Sequence, residues 1–130
     1  MKVVVNRCFG GFGLSIAGMK AVMARKGREC YAFTGYPVLT PKDGDDSLFC
    51  SFYDVSNAHE LSQEDREEHY ISYRDFDRND PDLVAVVESL GKDANESCAD
   101  LEVVEIPDGI QWHVEDYDGN EHIAEDHRTW

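Results

Sequence analysis

Positive charge is what this chain has least of. Lysines and arginines number 12 against 27 aspartates and glutamates, a formal net charge of −15. Non-specific affinity for DNA or RNA comes mainly from cations that displace counterions, so no direct contact with nucleic acid is expected. Long apolar runs are also missing: nothing approaches the roughly 20 residues that a membrane-crossing helix needs, so no membrane partner is expected. The four cysteines (Cys8, Cys30, Cys50 and Cys98) include no C-x-x-C pair. Cys8, Cys30 and Cys50 sit in apolar surroundings, as small buried thiols do in a reducing cytosol. The first strand starts without the charged and apolar regions of a signal peptide, and the expected location is the cytoplasm.

Enough remains to fold. Apolar residues make up 42% of the chain, and 130 residues suit one domain, 1–130, able to bury a core without metal or disulfide staples. Val3-Val4-Val5 reads as a strand. Ser15 is placed to cap a helix with Ile16, Met19, Val22 and Met23 on its apolar face, and Gly27 to stop it. A strand over Glu29–Phe33 would complete a βαβ unit with parallel strands. Thr34–Ser47 reads as loop, and Leu48–Val55 as a strand with Cys50 and Phe52 on one side and Tyr53 on the other. Ser62 and Asp65 suggest a short capped helix, and His69–Tyr73 alternates as a strand. Asp80-Pro81 opens a second main helix that Gly91 ends. A strand over Leu101–Ile106 follows. Asp118-Gly119 then joins Ile110–Tyr117 and Glu121–Glu125 in a type I′ hairpin. The expected class is α+β: a mixed sheet with a βαβ start, two main helices packed on one face and a C-terminal β-hairpin.

The first candidate site is the glycine turn between strand and helix, Cys8-Phe9-Gly10-Gly11-Phe12-Gly13-Leu14-Ser15. A turn that leads into a helix N-terminus aims several backbone N–H groups at one small region, where an anion fits. The turn lacks the Lys and Ser/Thr of a P-loop. Gly11-x-Gly13 is followed by Gly18, so it fails the dinucleotide fingerprint as well. As structure alone, Gly10 and Gly11 permit positive φ while Phe9 and Phe12 pack down. As a site, the loop amides hold a phosphate, Phe9 or Phe12 stacks on a base, and Arg7, Arg28 and Arg128 add charge.

Two stretches carry a resemblance. Val4-Val5-Asn6-Arg7-Cys8-Phe9-Gly10-Gly11-Phe12-Gly13-Leu14-Ser15 resembles the opening of a widespread group of small phage and prophage proteins. The run from Asp80-Pro81-Asp82-Leu83-Val84 through Val103-Val104-Glu105-Ile106-Pro107-Asp108 and Tyr117-Asp118-Gly119 to His127-Arg128-Thr129-Trp130 resembles the C-terminal half of the same group. The middle, Thr34–Ser72, carries no such resemblance. What the resemblance implies is a phage origin and a small cytosolic accessory factor. It implies no reaction.

The acids form a second candidate. Glu60, Glu64, Asp65, Glu67 and Glu68 are dense, and Asp75 and Asp77 follow. They read as a solvated face or as a mimic of a phosphate backbone offered to a basic groove. Asp75-x-Asp77-x-Asn79 has the opening spacing of a calcium loop, but Asp80 replaces the needed glycine and Val86 the bidentate glutamate. Asp43-Gly44-Asp45-Asp46 is a weaker hint of the same kind. His113, His122 and His127 lack zinc spacing, so no metal and no cofactor is expected. A Cys8–His127 nucleophile pair rests on residue types only, and no catalytic residue is assigned. Trp130 and Trp112 suggest a self-association surface, hence a homo-oligomer.

Together these readings give a non-enzymatic accessory protein that antagonises a host defence system by binding. Its partner is either a small anionic ligand, such as a nucleotide signal held at the glycine turn, or a host nuclease or CRISPR effector engaged by the acidic face.

Overall fold

A computed structural model describes residues 1–42, 50–96 and 99–125. Its strands and helices are β1 (Lys2–Asn6), α1 (Ile16–Arg25), β2 (Tyr31–Thr34), β3 (Thr40–Pro41), β4 (Cys50–Tyr53), α2 (Gln63–Glu67), β5 (Tyr70–Ile71), α3 (Pro81–Leu90), β6 (Leu101–Glu105), β7 (Trp112–Tyr117) and β8 (Asn120–Glu125). Short 3₁₀ turns occupy Ala58–Glu60, Tyr73–Asp75 and Gly91–Ala94. The class is α+β, with the C-terminal hairpin in place.

Local chemistry sets the helix ends. Ser15 caps α1 by accepting the Gly18 N–H at 3.0 Å, and Ser62 caps α2 through the Asp65 N–H at 3.1 Å. At α3, Asp80 accepts from Asp82 and Leu83 while Pro81 takes the first helical position, where it has no N–H to waste. Asp118 and Gly119 both have positive φ, 49° and 92°, as a type I′ turn requires.

The parallel β1–β2 pair expected of a βαβ unit does not form. β1 pairs with β6, antiparallel, from Lys2↔Glu105 to Asn6↔Leu101. β2 belongs to a second sheet of order β3-β2-β4-β5, and β7–β8 forms a third ladder. Every ladder among the described residues is antiparallel. The reason is long-range. Val3, Val4 and Val5 are completely buried, and β1 has both edges engaged: one by β6, the other by the Arg78 carbonyl at Val4 and the Glu121 carboxylate at Asn6. Chain order alone does not reveal such partners.

The main core joins the two main helices to the β1–β6 pair and the four-stranded sheet. Met19, Val22 and Met23 of α1 meet Leu83, Val86 and Val87 of α3, and α3 rests on β1 and β6. Ala32, Phe52 and Ile71 bring one face of the β2–β4–β5 sheet to the same core. The other face carries Phe33, Leu39, Tyr53 and Ala58, a smaller cluster. The two-residue alternation expected of Phe52 and Tyr53 is thus observed. Among the described residues no helix is long and apolar enough to cross a membrane.

Candidate functional site

The glycine turn is set from below by one buried amide. Asn6 ends β1 with no exposed surface, and all of its hydrogen-bonding capacity is used. Its Nδ2 donates to the carbonyls of Cys8 and Gly119, each at 2.7 Å. Its Oδ1 accepts the N–H groups of Cys8 at 3.3 Å and Asp100 at 2.8 Å. One side chain therefore ties the turn to β6 and to the tip of the β7–β8 hairpin. The hairpin closes on the turn without spare room: a methyl group at Gly119 would lie 2.8 Å from both Gly11 Cα and the Phe9 carbonyl oxygen.

Between turn and hairpin lies a cavity of about 330 Å³. The turn contributes Gly10, Gly11 and Phe12 to its lining, and the hairpin Asp116 and Glu121. Tyr73, Arg74 and Arg78 enter from the segment after β5, and Glu96 from the end of the Gly91–Ala94 turn. Arg78 forks onto Glu121, with Nη2 2.8 Å from Oε2 and Nη1 bonded to Oε1. The Asn6 backbone N–H donates to that same Oε1 at 2.8 Å. The guanidinium also lies 3.8 Å from the centre of the Phe12 ring, which meets Tyr73 edge-on at 5.7 Å. With 5% of its side chain exposed, Glu121 depends on this partner. Removing one member of such a pair typically costs about 3–5 kcal/mol.

Three features of the cavity are left over for a ligand. Arg74 is exposed and faces no carboxylate within ion-pair distance among the described residues. The N–H groups of Gly10, Phe12 and Gly13 meet no protein acceptor among the described residues. Glu96 also lacks a cation there, although its backbone N–H is fixed on the Gly13 carbonyl at 3.2 Å. Burial, and next the Glu96 charge, raise the Tyr73 phenol above its ordinary value, so it stays protonated as a hydrogen-bond donor.

The structure assembles part of the expected constellation. Gly10, Gly11 and Phe12 line the cavity, and Gly13 is buried beside Glu96. Phe9 instead turns outward against Tyr117, ring centres 6.4 Å apart. Ser15 is consumed as the α1 cap and donates to the Asp93 carbonyl. Arg7 is bound to Glu102 and to the Glu121 carbonyl, and Arg28 pairs with Asp54 at the far end of α1. Neither lines the cavity. Arg128, His127, Trp130, Cys98 and the Asp43–Asp46 run lie outside the described residues. The site's cations are Arg74 and Arg78, which the sequence reading passed over among Asp75, Asp77 and Asp80. A signal was there: Arg74 and Arg78 lie two residues to either side of Phe76 and balance Asp75 and Asp77.

The second candidate is an open surface. Glu60, Glu64, Asp65, Glu67, Glu68, Asp75 and Asp77 are all exposed, and none pairs with lysine or arginine among the described residues. No group of three His, Cys, Asp or Glu side chains among them is placed to hold a metal ion. Cys30 is partly buried against the main core, and burial pushes its thiol up to about 11.

Set against protein-family models, curated proteins and solved structures, the chain matches none. The functional reading rests on the cavity and the surface.

Proposed function

We propose that this protein is a non-enzymatic binding protein that holds a small nucleotide in the glycine-turn cavity. The observation that carries the reading is that the glycine turn, whose Gly10 and Phe12 N–H groups meet no protein acceptor among the described residues, lines one cavity with Arg74 and the rings of Phe12 and Tyr73. Amides and a guanidinium fit phosphate oxygens, and aromatic rings fit a base. The net charge of −15 does not forbid this. At physiological salt the Debye length is about 8 Å, so most of the acidic surface is screened from the cavity while Arg74 acts at contact. In a phage setting, assembled as a homo-oligomer, such a protein would withdraw a nucleotide signal from a host defence system.

Calorimetric titration with nucleoside mono- and diphosphates tests the reading. Saturable binding that Arg74→Glu abolishes supports it. A flat response across the panel, with the protein folded, rejects it.

A second reading keeps a specific observation: six exposed acids on and after α2, with Glu60 just before it, none paired with lysine or arginine among the described residues. They suit a host protein with a lysine-lined nucleic-acid groove. Capture of a nuclease or CRISPR effector that survives Glu64→Lys, Asp65→Lys, Glu67→Lys and Glu68→Lys combined would reject that reading.

A further inference from the structure

We infer that the cavity selects a guanine nucleotide, one molecule at a time, with Glu96 and Asp116 reading the base. The inference rests on the nucleotide reading above and adds the identity of the ligand.

The argument starts from the charges that remain once Arg78 is committed to Glu121. Those are Arg74, Glu96 and Asp116, one cation and two carboxylates. Asp116 uses Oδ1 to accept the Gly119 N–H at 2.8 Å, which leaves Oδ2 open. Glu96 has both oxygens free of cations among the described residues and stands close enough to Gly13 that a Cβ there would strike its carboxylate. A bare anion would satisfy Arg74 and the amides but be repelled by both carboxylates. The ligand must therefore present donors as well as an anionic end. Tyr73, and the part of the Phe12 ring that Arg78 does not cover, add apolar ring surface, which a planar heterocycle covers and a small zwitterion does not.

The bases differ in what they offer a carboxylate. Guanine has adjacent N1–H and N2–H₂ donors, which meet one carboxylate in two parallel hydrogen bonds. Adenine and cytosine put a ring-nitrogen acceptor beside the amino group. Uracil and thymine put carbonyl oxygens on both sides of their single N–H, and carboxylates repel these. Size limits the number: 330 Å³ is at the low end for ligand pockets and suits a single mononucleotide.

The test is calorimetric titration of the whole protein with GMP, AMP, CMP, UMP, inorganic phosphate and glycine. GMP should bind more tightly than UMP by roughly tenfold or more, because the wrong base leaves carboxylates unpaired. Glu96→Gln and Asp116→Asn, with melting curves like the parent's, should each shrink that ratio. Arg74→Ala should weaken GMP and UMP alike. Equal affinity for all four mononucleotides overturns the guanine assignment while nucleotide binding stands. Tighter binding of glycine than of any nucleotide overturns both, as does the absence of any binding.

Discussion

Adding one methyl group to Gly119 tests whether the hairpin shapes the glycine turn. Gly119 has φ +92°, and a Cβ built there meets backbone atoms of Gly11 and Phe9, which cannot rotate away as a side-chain tip can. Gly109 makes a matched control, with φ +80° and open space where the Cβ would go. Left-handed strain is common to both alanine variants, about 1–2 kcal/mol each. Only Gly119→Ala adds overpacking, a further 1–3 kcal/mol or so. Urea unfolding followed by circular dichroism should then separate the two. With a slope near 2 kcal/mol per molar, a gap of about 2 kcal/mol moves the midpoint by roughly 1 M. Asparagine sharpens the comparison: it tolerates positive φ but keeps a Cβ, so Gly109→Asn should be mild and Gly119→Asn severe. Equal costs at the two positions would refute the tight apposition of hairpin and turn, and with it the shape of the cavity.

Three further outcomes follow from the same geometry. Asn6→Ala should destabilise by about 2 kcal/mol or more, since it leaves partly buried backbone groups of Cys8, Asp100 and Gly119 without their partner at once; a loss below about 1 kcal/mol in denaturant melts would contradict the account. Asp80→Ala should cost about 1–2 kcal/mol by uncapping α3 and releasing Lys26, whose Nζ lies 2.6 Å from the carboxylate. Burial pushes the Asp80 carboxyl up, but hydrogen bonds from Lys26 and from the Asp82 and Leu83 N–H groups outweigh it, and the net direction is down. Its stabilisation is therefore full above the unfolded carboxylate pKa and is lost as pH falls through the lower folded value, so Asp80→Ala and parent stabilities should converge in acid. Glu115 is also held below its ordinary value, first by a hydrogen bond from His113 and then by one from His122. Carboxyl NMR should show it titrating at lower pH than in a variant with both histidines replaced by alanine.

What the sequence made legible was local. Ser15, Ser62, Asp80-Pro81 and Asp118-Gly119 act on backbone groups within three residues, so each could be placed without knowing the fold. The glycine turn was legible as a turn for the same reason. The partner of β1 was not, because β6 enters the chain nearly a hundred residues later and competes with β2 only in three dimensions. Arg7 and Arg28 illustrate the same limit. They are near the turn in sequence, but Glu102 and Asp54, remote in sequence, claim them first. Arg78 became a site residue through Glu121 and Phe12, two contacts that no spacing rule encodes. Asn6 closes a run of three buried valines, and a lone amide in that place is the clue that it spans something.

The hydrogen bond from Asn6 to the Gly119 carbonyl joins groups 113 residues apart. During synthesis the glycine turn leaves the ribosome long before the strands that hold it, so a nascent chain carries the loop without its mould. The wall of the cavity is completed only by the last quarter of the chain, and a shortened product that lacks the hairpin is without Asp116 and Glu121 however well α1 and α3 have packed.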